Sequence, residues 1–529
     1  MTSEHIPFKN TGYFSSFICD YLEQKEQVKE FYGLFPELNN FETQIQNKTF
    51  SQNNRNTLVS VLKEQYTSVE SSKKTEKNIE LLKKHNTFTI TTGHQLNLFT
   101  GPLYFLYKII STINLTKILK KEYPEFNFVP IYWMATEDHD FDEICYFNFK
   151  DQKIKWAKDS SGAVGKLKNE GIEVVYQVIK TLFGNTEKSE NLKSIFKKAY
   201  LENENLTNAT RVLANELFKN EGLVILDADD SALKALFIPK MKDELLLSKA
   251  KNNVDETNKI LKHNNYPQTA YPRNINLFYL KDEQRNRIEL KDSTYQVIDS
   301  TISFTKEEII EKLNKHPERF SPNVILRPLY QEVILPNLCY IGGGGEIAYW
   351  MQLKQMFEHF EVPFPILLLR NSVLLLSEKQ HKKLGKLNIS IQEFFNKTPD
   401  LINKKIKELS EIKIDFSEQK NHLKDQFKAL LELSNKTDAS FEGAVNAQQH
   451  KQIKGLEHLE KRLLKAQKRK YNDYVKRITA LKTDLFPNES LQERHKNFSE
   501  FYLEYGPDLV PKLLENLNPL SQQFLVLTI

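Results

Sequence analysis

The sequence contains little cysteine and little glycine, and both shortages restrict what the chain can be. The three cysteines, Cys19, Cys145 and Cys339, are far apart and form no CxxC pair. This spacing indicates neither a disulfide framework nor a structural zinc site. Only 17 of the 529 residues are glycine, while lysine, glutamate, asparagine and leucine are plentiful. That composition favours long helices over an all-β architecture.

Strong net charge and long apolar runs are also lacking. The 74 lysines and arginines against 69 aspartates and glutamates leave a net charge of +5, which is no nucleic-acid footprint. The most apolar stretch, residues 364–376, is interrupted by Arg370 and Asn371 and is too short to cross a bilayer. The first residues lack the apolar run of a signal peptide. We expect a soluble cytoplasmic protein without nucleic-acid or membrane partners.

What the chain does have is apolar and aromatic material for a large core. Hydrophobic residues make up 40%, with 34 phenylalanines and 22 tyrosines, and the length predicts several domains. Changes in residue composition and pattern along the chain predict four regions. They are a helical segment at 1–86, an α/β core at 87–385 with inserts at about 146–320, a helical hairpin at 386–485, and a segment at 486–529 that returns to the core.

A strand–helix–strand pattern opens the predicted core. Residues 87–92 are β-branched and aromatic, Leu106, Ile109, Ile110 and Ile113 mark one buried helix face, and residues 128–134 form a second apolar run. Such a βαβ unit builds a parallel sheet. Further strands are predicted at 222–227, 324–329, 338–341 and 364–369, and antiparallel hairpins at 150–168 and 274–290.

The region 391–485 has a different pattern. Apolar residues recur in a narrow stripe on two long stretches of mixed charge, separated by the polar residues 434–440. Two helices joined by a turn, with such a stripe, are typical of an antiparallel coiled coil.

Three loops occupy the strand ends where an open parallel sheet binds ligands. The first, 92–102, leads into a helix N-terminus that attracts phosphate or carboxylate. Its candidate binding residues, with a cation about two turns later, are Gly93, His94, Gln95, Asn97, Thr100, Gly101 and Lys108. The alternative is that its glycines only shape a turn and that His94 is an ordinary loop residue.

The second loop, 135–143, holds five carboxylates and one histidine within seven residues. So much negative charge in one place is costly unless a cation, a substrate amine or a helix N-terminus offsets it. Binding of a divalent metal, recognition of an amine and general-base catalysis all remain open, with Asp138, His139 and Asp140 as the catalytic candidates. The alternative is an acidic helix start.

The third loop contains four consecutive glycines, 342–345, in a chain otherwise poor in glycine. Glycine permits close approach of the backbone to a ligand. The candidates here and just upstream are Gly342, Gly343, Gly345, Glu346, Tyr349, Arg327 and Gln331. The pattern is neither a Walker loop nor a dinucleotide fingerprint. A tight strand-to-helix turn and a surface arginine are the alternatives.

Read together, these loops resemble the cysteine-adding enzyme family of bacillithiol biosynthesis. The resemblance is carried by TTGHQLNLFTGPLYFLYK at 91–108, VPIYWMATEDHDFDEI at 129–144, LRPLYQEVILP at 326–336, YIGGGGEIAYWMQLK at 340–354 and LFPNESLQERHKNF at 485–498. Two positions depart from the family pattern, because His94 stands where glutamine is usual and Gly344 where proline is usual.

The resemblance implies a nucleotide-binding Rossmann-like core with connecting-peptide inserts and a long helical hairpin that mediates homodimerisation. It also implies the last step of bacillithiol synthesis, in which cysteine is joined to the amine of glucosaminyl malate. ATP or ADP is the possible cofactor, and no metal site is expected. The HIGH and KMSKS signatures of class I aminoacyl-tRNA synthetases are not evident. A nucleotide-binding scaffold without catalysis, or a metal-dependent hydrolase using residues 137–143, remains the alternative.

On this hypothesis each loop has a role. The loop at 93–101 holds a nucleotide phosphate or an equivalent anion, and Arg327 or Lys108 binds the dicarboxylate. Asp138 or Asp140 binds an amine, and His139 or Asp140 helps to deprotonate it. Glu346 and Tyr349 orient the substrate.

Overall fold

The first part of the chain packs one strand and several helices against the rest of the protein. The computed structural model describes residues 2–281, 284–434, 436–437 and 439–529. The elements up to residue 86 are β1 (Thr2–Ile6), α1 (Phe8–Thr11), α2 (Ser16–Leu22), α3 (Asn40–Asn47), α4 (Gln52–Gln65) and α5 (Lys73–Leu81). The all-helical prediction is wrong at the start, where β1 pairs antiparallel with the last strand of the chain. Residues 2–5 of this strand are polar and exposed and carry no apolar strand signal, and its partner lies at the other end of the sequence.

The next part of the chain contains the predicted βαβ unit and two inserts. Its first half comprises β2 (Thr87–His94), α6 (Tyr104–Glu122), β3 (Asn127–Met134), α7 (Phe141–Ile144), β4 (Tyr146–Phe149), β5 (Gln152–Lys155), α8 (Ile172–Phe183), α9 (Glu187–Phe196), α10 (Leu206–Phe218) and β6 (Val224–Asp227). The second half comprises α11 (Ser231–Ala235), α12 (Ile238–Leu247), α13 (Lys249–His263), β7 (Leu277–Lys281), β8 (Gln284–Lys291), β9 (Thr294–Val297), β10 (Ser303–Phe304), α14 (Lys306–Lys315), β11 (Phe320–Pro322), α15 (Arg327–Ile334), β12 (Asn337–Gly342), α16 (Gly344–Met351), α17 (Lys354–His359) and β13 (Ile366–Leu369).

Five parallel strands form the central sheet, in the order β13-β12-β2-β3-β6. The chain starts at β2, builds outward through β3 and β6, and then returns to the other side of β2 with β12 and β13. The strand order therefore reverses between β2 and β12, and in open α/β sheets the crevice beyond the carboxyl ends of such a pair binds ligands. The prediction of a Rossmann-like parallel sheet is confirmed.

Two of the predicted elements differ from the structure. The predicted strand at 324–329 is wrong, because helix α15 begins at Arg327. The side chain of Asn323 accepts hydrogen bonds from the amides of Ile325 and Leu326, and Pro328 lies in the first turn, so local capping directs this short apolar run into a helix. The predicted hairpin at 150–168 lies earlier, as β4 and β5.

The second predicted hairpin belongs to a larger insert. Strands β7 and β8 pair antiparallel, and they join a five-stranded sheet of order β10-β9-β8-β7-β11. Within this hairpin, residues 282 and 283 lie outside the described residues. The insert matters for the site because Arg285, on β8, reaches the acidic loop after β3.

The remainder of the chain is mainly helical. Its elements are β14 (Val373–Leu376), α18 (Glu378–Lys386), α19 (Ile391–Phe394), α20 (Thr398–Leu409), α21 (Ser417–Ser434), α22 (Ala439–Lys470), α23 (Asn472–Leu485), α24 (Gln492–His495), α25 (Phe498–Tyr505), α26 (Leu509–Asn516) and β15 (Phe524–Thr528). Helices α21 and α22 form the long hairpin; within its predicted connection, residues 435 and 438 lie outside the described residues. Tyr471 separates α22 from α23, where one continuous helix was predicted.

The two ends of the chain meet beside the core. Strand β15 pairs parallel with β14 and antiparallel with β1, so a three-stranded sheet ties the termini to the residues that follow β13. Among the described helices, none is both long and apolar enough to span a bilayer. The predicted domain boundaries at 86, 385 and 485 stay predictions.

Candidate active site

A cavity of about 350 Å³ lies at the reversal point of the central sheet, between the ends of β2 and β12. Eleven residues predicted from the sequence line it: Gly93, His94, Gln95, Lys108, Asp138, Arg327, Gln331, Gly343, Gly345, Glu346 and Tyr349. The sequence prediction missed several other lining residues, chiefly Tyr104, Trp133, Tyr340, Trp350, Arg370 and Arg494. Side chains from three predicted loops thus converge at one place, with two residues from later in the chain.

A partly buried ion pair between Lys108 and Glu346 lines the cavity. The Lys108 Nζ atom lies 2.6 Å from a carboxylate oxygen of Glu346 and also donates to the Gly93 carbonyl at 2.7 Å. Glu346 further accepts hydrogen bonds from the Tyr340 hydroxyl and the Gly343 amide. Burial would raise the pKa of Glu346, but Lys108 and these donors outweigh it and lower the pKa. Glu346 therefore stays ionised, and it neutralises the charge of Lys108.

His94 lines the same cavity and has a buried, unpartnered nitrogen. The residue is only 8% exposed, and its Nε2 atom has no hydrogen-bond partner among the described residues. Burial, reinforced by nearby Lys108, holds the pKa of His94 well below its usual value, while a hydrogen bond with the Thr100 backbone acts in the opposite direction. The ring is therefore neutral, so one of its nitrogens is a hydrogen-bond donor and the other an acceptor.

Asp138 is the carboxylate that the acidic loop contributes to the cavity. Its Oδ2 atom accepts a hydrogen bond from Gln95 at 3.2 Å and lies 3.9 Å from Arg327. Burial opposes ionisation of Asp138, but Arg327 and Arg285 outweigh it and lower the pKa of the carboxyl. Asp138 is thus a fixed anion that can pair with a substrate amine.

Arg370 reaches the cavity from the residues after β13. Its guanidinium pairs with Glu493 at 2.8 Å and donates to the Asn371 carbonyl, while its Nε atom has no partner among the described residues. The guanidinium also lies over the Tyr104 ring, 5.0 Å from its centroid. Burial would lower the pKa of Arg370, but Glu493 outweighs it and raises the pKa, so the cation is permanent.

The rest of the first loop does not line the cavity. Asn97, Thr100 and Gly101 are packed behind it in a tight turn, and the Phe99 amide donates to the Tyr200 hydroxyl. The Thr100 and Gly101 amides donate to carbonyls of the same loop. The amides of 99–101 are therefore already used inside the protein, and the predicted phosphate-binding role of this loop stays a prediction. Gly342 is likewise a support, since it is the buried last residue of β12.

His139 and Asp140 lie outside the cavity on an exposed surface, beside residues of β5. Arg285 lies 3.0 Å from the Nδ1 atom of His139. Asp138, His139 and Asp140 could each offer one metal-ligand atom within 4.8 Å of the others, but Arg285 and Arg327 already supply positive charge there. Helix α7 begins at Phe141, directly after these two exposed residues. Their predicted role in catalysis stays a prediction.

Two of the missed residues carried a signal in the sequence. Arg370 interrupts an apolar run that must be buried, and a buried arginine needs an anionic partner or a ligand. Arg494 follows Glu493 within the last motif of the family resemblance. In neither case could the sequence identify which strand end the side chain would face.

Comparison with known proteins agrees with this fold and these motifs. A family model described as "Bacillithiol biosynthesis BshC, N-terminal Rossmann-like domain" matches residues 1–371, and "Bacillithiol biosynthesis BshC, C-terminal coiled-coil domain" matches residues 373–529.

Several relatives match over the whole length. The chain is 55% identical over 531 residues to a protein of Flavobacterium johnsoniae, with 100% of both chains covered. It is 55% identical over 534 residues to one of Christiangramia forsetii, covering 100% of this chain and 99% of that one. A protein of Cytophaga hutchinsonii is 36% identical over 516 residues, covering 98% of this chain and 97% of the other. All three are named "Putative cysteine ligase BshC". The chain belongs to the BshC family of bacillithiol biosynthesis.

Proposed function

We propose that the cavity between β2 and β12 is the active site of a cysteine ligase that joins the carboxyl of L-cysteine to the amine of glucosaminyl malate, the last step of bacillithiol synthesis. The observation that carries the proposal is the mixture of fixed charges around one cavity. Lys108, Arg327, Arg370 and Arg494 are its cations, and Asp138 and Glu346 are its carboxylates. A ligand with both acid and amine groups fits such a lining.

Different residues of the cavity have different roles in this proposal. Asp138 is ionised and binds an ammonium group, and the neutral Nε2 of His94 accepts a hydrogen bond from an amine or a hydroxyl. Glu346 and Lys108 neutralise each other, so their main contribution is to hold the loop after β12 and the start of α6 in position. Tyr340 stacks on Trp350 with ring centroids 4.2 Å apart and supplies a rigid wall.

Formation of an amide from a free carboxylate needs an activating co-substrate, and we propose ATP. The cysteine carboxylate takes a phosphoryl or adenylyl group from ATP and releases ADP or pyrophosphate. The substrate amine then attacks the carbonyl carbon, loses a proton, and displaces phosphate or AMP, which carries away the former carboxylate oxygen.

A cytoplasmic setting suits this chemistry, because a cysteine substrate must stay reduced and the three cysteines of the chain are free.

The decisive experiment is to incubate the purified protein with ATP, magnesium, L-cysteine and glucosaminyl malate and to detect the product by mass. We expect product, and we expect Asp138→Asn to lower its rate about 100-fold, a typical effect of removing a group that binds or deprotonates the reacting amine. Asp142→Asn is the matched control, because Asp142 lies in the same acidic loop but is exposed and pairs with Lys155. AMP or ADP among the products identifies the activation route.

Other outcomes would support the alternatives. Absence of product under every nucleotide condition would overturn the proposal and favour a nucleotide-binding scaffold. Stoichiometric metal in the purified protein, lost in His139→Gln, would favour the hydrolase. Loss of ligase activity in His139→Gln or Asp140→Asn would confirm the predicted catalytic role of these residues.

We also propose that the hairpin of α21 and α22 mediates a homodimer. Leu430, Leu433 and Leu459 are 41%, 55% and 53% exposed on it. Pairing with a second copy would remove this apolar surface from water. The double variant Leu433→Glu/Leu459→Glu is expected to be monomeric by light scattering. Leu247→Glu, at an exposed position on α12, is the control and should leave the dimer intact. A wild-type monomer at micromolar concentration would overturn this part.

A further inference from the structure

Four cations line the cavity, and three of them have a carboxylate partner. Lys108 pairs with Glu346, Arg370 pairs with Glu493, and Arg327 lies 3.9 Å from Asp138. The side chain of Arg494 is exposed at the cavity and has no ion pair or hydrogen bond among the described residues. The surplus positive charge of the cavity is therefore concentrated at Arg494.

The surroundings of Arg494 contain further free donors. Glu493, its neighbour in α24, holds the guanidinium of Arg370, whose Nε atom is unpartnered although the residue is only 3% exposed. Gly343, the residue before α16, lies beside that Nε atom, because a Cβ built on it would be 3.7 Å away. The first turn of α16 adds amides without intrahelical acceptors, and Gly345 lies on the cavity wall.

We propose that Arg494, the Nε atom of Arg370 and the N-terminus of α16 form a subsite for one carboxylate of the substrate, built jointly by the Rossmann-like region and the segment after the coiled coil. This inference rests on the proposed function, and it assigns one of the two malyl carboxylates of glucosaminyl malate to this subsite rather than to Lys108 or Arg327. Arg494 then determines specificity for an acidic substrate, and Glu493 is a positioning residue that holds Arg370.

The charge balance favours a carboxylate over a polyphosphate at this place. One surplus cation with a partly free guanidinium and helix amides matches a single negative charge. A triphosphate carries several negative charges and would need additional cations. The location also explains why the segment 485–498 belongs to the motifs of the family resemblance, although it lies more than 100 residues from the other loops.

The test is binding of L-malate to the full chain, measured by calorimetry at low salt without ATP or cysteine. Arg494→Gln is expected to lower the affinity for malate at least tenfold, which corresponds to about 1.4 kcal/mol of binding free energy. Arg327→Gln should leave malate affinity within threefold. Arg477→Gln, an exposed arginine on α23, is the matched control and should bind like the wild type. Unchanged affinity in Arg494→Gln, or a larger loss in Arg327→Gln, would overturn the subsite.

A competition arm separates carboxylate from phosphate. The assignment is wrong, and the subsite is one for phosphate, under two joint conditions. Inorganic phosphate or ATP displaces malate from the wild type, and Arg494→Gln lowers the affinity for phosphate or ATP more than the affinity for malate. In the ligase assay, Arg494→Gln is expected to raise KM for glucosaminyl malate about tenfold while KM for cysteine stays unchanged. Malate binding that depends on Arg494 in a protein without ligase activity would keep the subsite and reject the proposed function. Ligase activity that is insensitive to Arg494→Gln would keep the proposed function and reject the subsite.

Discussion

The loop after β2 and the loop after β12 both combine glycine with polar residues at the carboxyl end of a parallel strand. In the first loop, residues 97–101 turn inward, and the amides of Phe99, Thr100 and Gly101 donate to protein acceptors. In the second, Gly343 and Gly345 lie on the cavity wall beside Glu346 and Arg370. Similar composition therefore serves two purposes, because the amides at 99–101 are used by acceptors inside the protein, whereas Gly343 and Gly345 line the cavity.

The anchor of the first loop is the most sensitive place to test this difference. The buried Asn497 side chain donates to the carbonyls of Phe99 and Gly101 at 2.7 and 2.6 Å, and it caps α25 by accepting from the Ser499 amide. Asn497→Ala leaves these buried groups without partners, so we expect a loss of about 3 kcal/mol of stability. Urea unfolding followed by circular dichroism measures it, with Asn10→Ala at an exposed position as the control. A loss below about 0.5 kcal/mol would show that the turn does not depend on its anchor.

Alanine substitution of single glycines compares the two loops directly. Gly101 has φ +62°, and a Cβ there would lie 2.7 Å from the Cβ of Asn97, so Gly101→Ala should cost about 2 kcal/mol. Gly345 has open space and no positive φ, so Gly345→Ala should change stability by less than about 0.5 kcal/mol. Gly12, with φ +72° and open space, isolates the backbone contribution, and Gly12→Ala should cost about 1 kcal/mol. Equal losses of stability in Gly101→Ala and Gly345→Ala would mean that the two loops do not differ in this respect.

His94 links the buried loop to the cavity, and its titration gives the smallest of the three effects. Burial, with Lys108, lowers the pKa of His94 well below 6.5, so the unfolded chain binds a proton before the folded chain as the pH falls. Stability is therefore lost as the pH falls below the unfolded pKa, by about 1.3 kcal/mol between pH 7 and pH 5.5 for this group.

The variant His94→Gln should remove that part of the pH dependence. We expect its urea midpoint to fall less than that of the wild type between the two pH values. His85→Gln, at an exposed loop position, is the control. Parallel pH profiles for the wild type and His94→Gln would mean that His94 takes up a proton in the folded protein, and the neutral acceptor assigned to it would be wrong.

Much of the core could be predicted from local pattern. Strands β2 and β3 are nearly continuous apolar or β-branched runs, and helix α6 has a clear buried face, so their residue types alone indicate a βαβ unit. The prediction was wrong where a short run is ambiguous. The apolar residues before α15 fit a strand as well as a helix, and the capping by Asn323 decided the outcome.

The candidate site was predictable in part, for a related reason. Gly93, Asp138 and Glu346 each follow a predicted parallel strand, and parallel strands bring their carboxyl ends to one edge. Arg370 and Arg494 were missed because an ion pair across 123 residues of sequence joins Arg370 to Glu493, and Arg494 follows Glu493 in α24. His139 and Asp140 have suitable chemistry, but they lie on an exposed surface outside the cavity.

By itself, the sequence determined the architecture of the parallel sheet, the helical hairpin and the family, because periodicity and short motifs are local properties of the chain. Only the tertiary structure decided which polar groups are free. The amides after Phe99 are consumed by nearby acceptors, whereas the Nε atom of Arg370, the Nε2 atom of His94 and the guanidinium of Arg494 keep capacity for a ligand. Hydrogen bonds and ion pairs saturate, so whether a donor is available depends on partners that folding brings from distant parts of the chain.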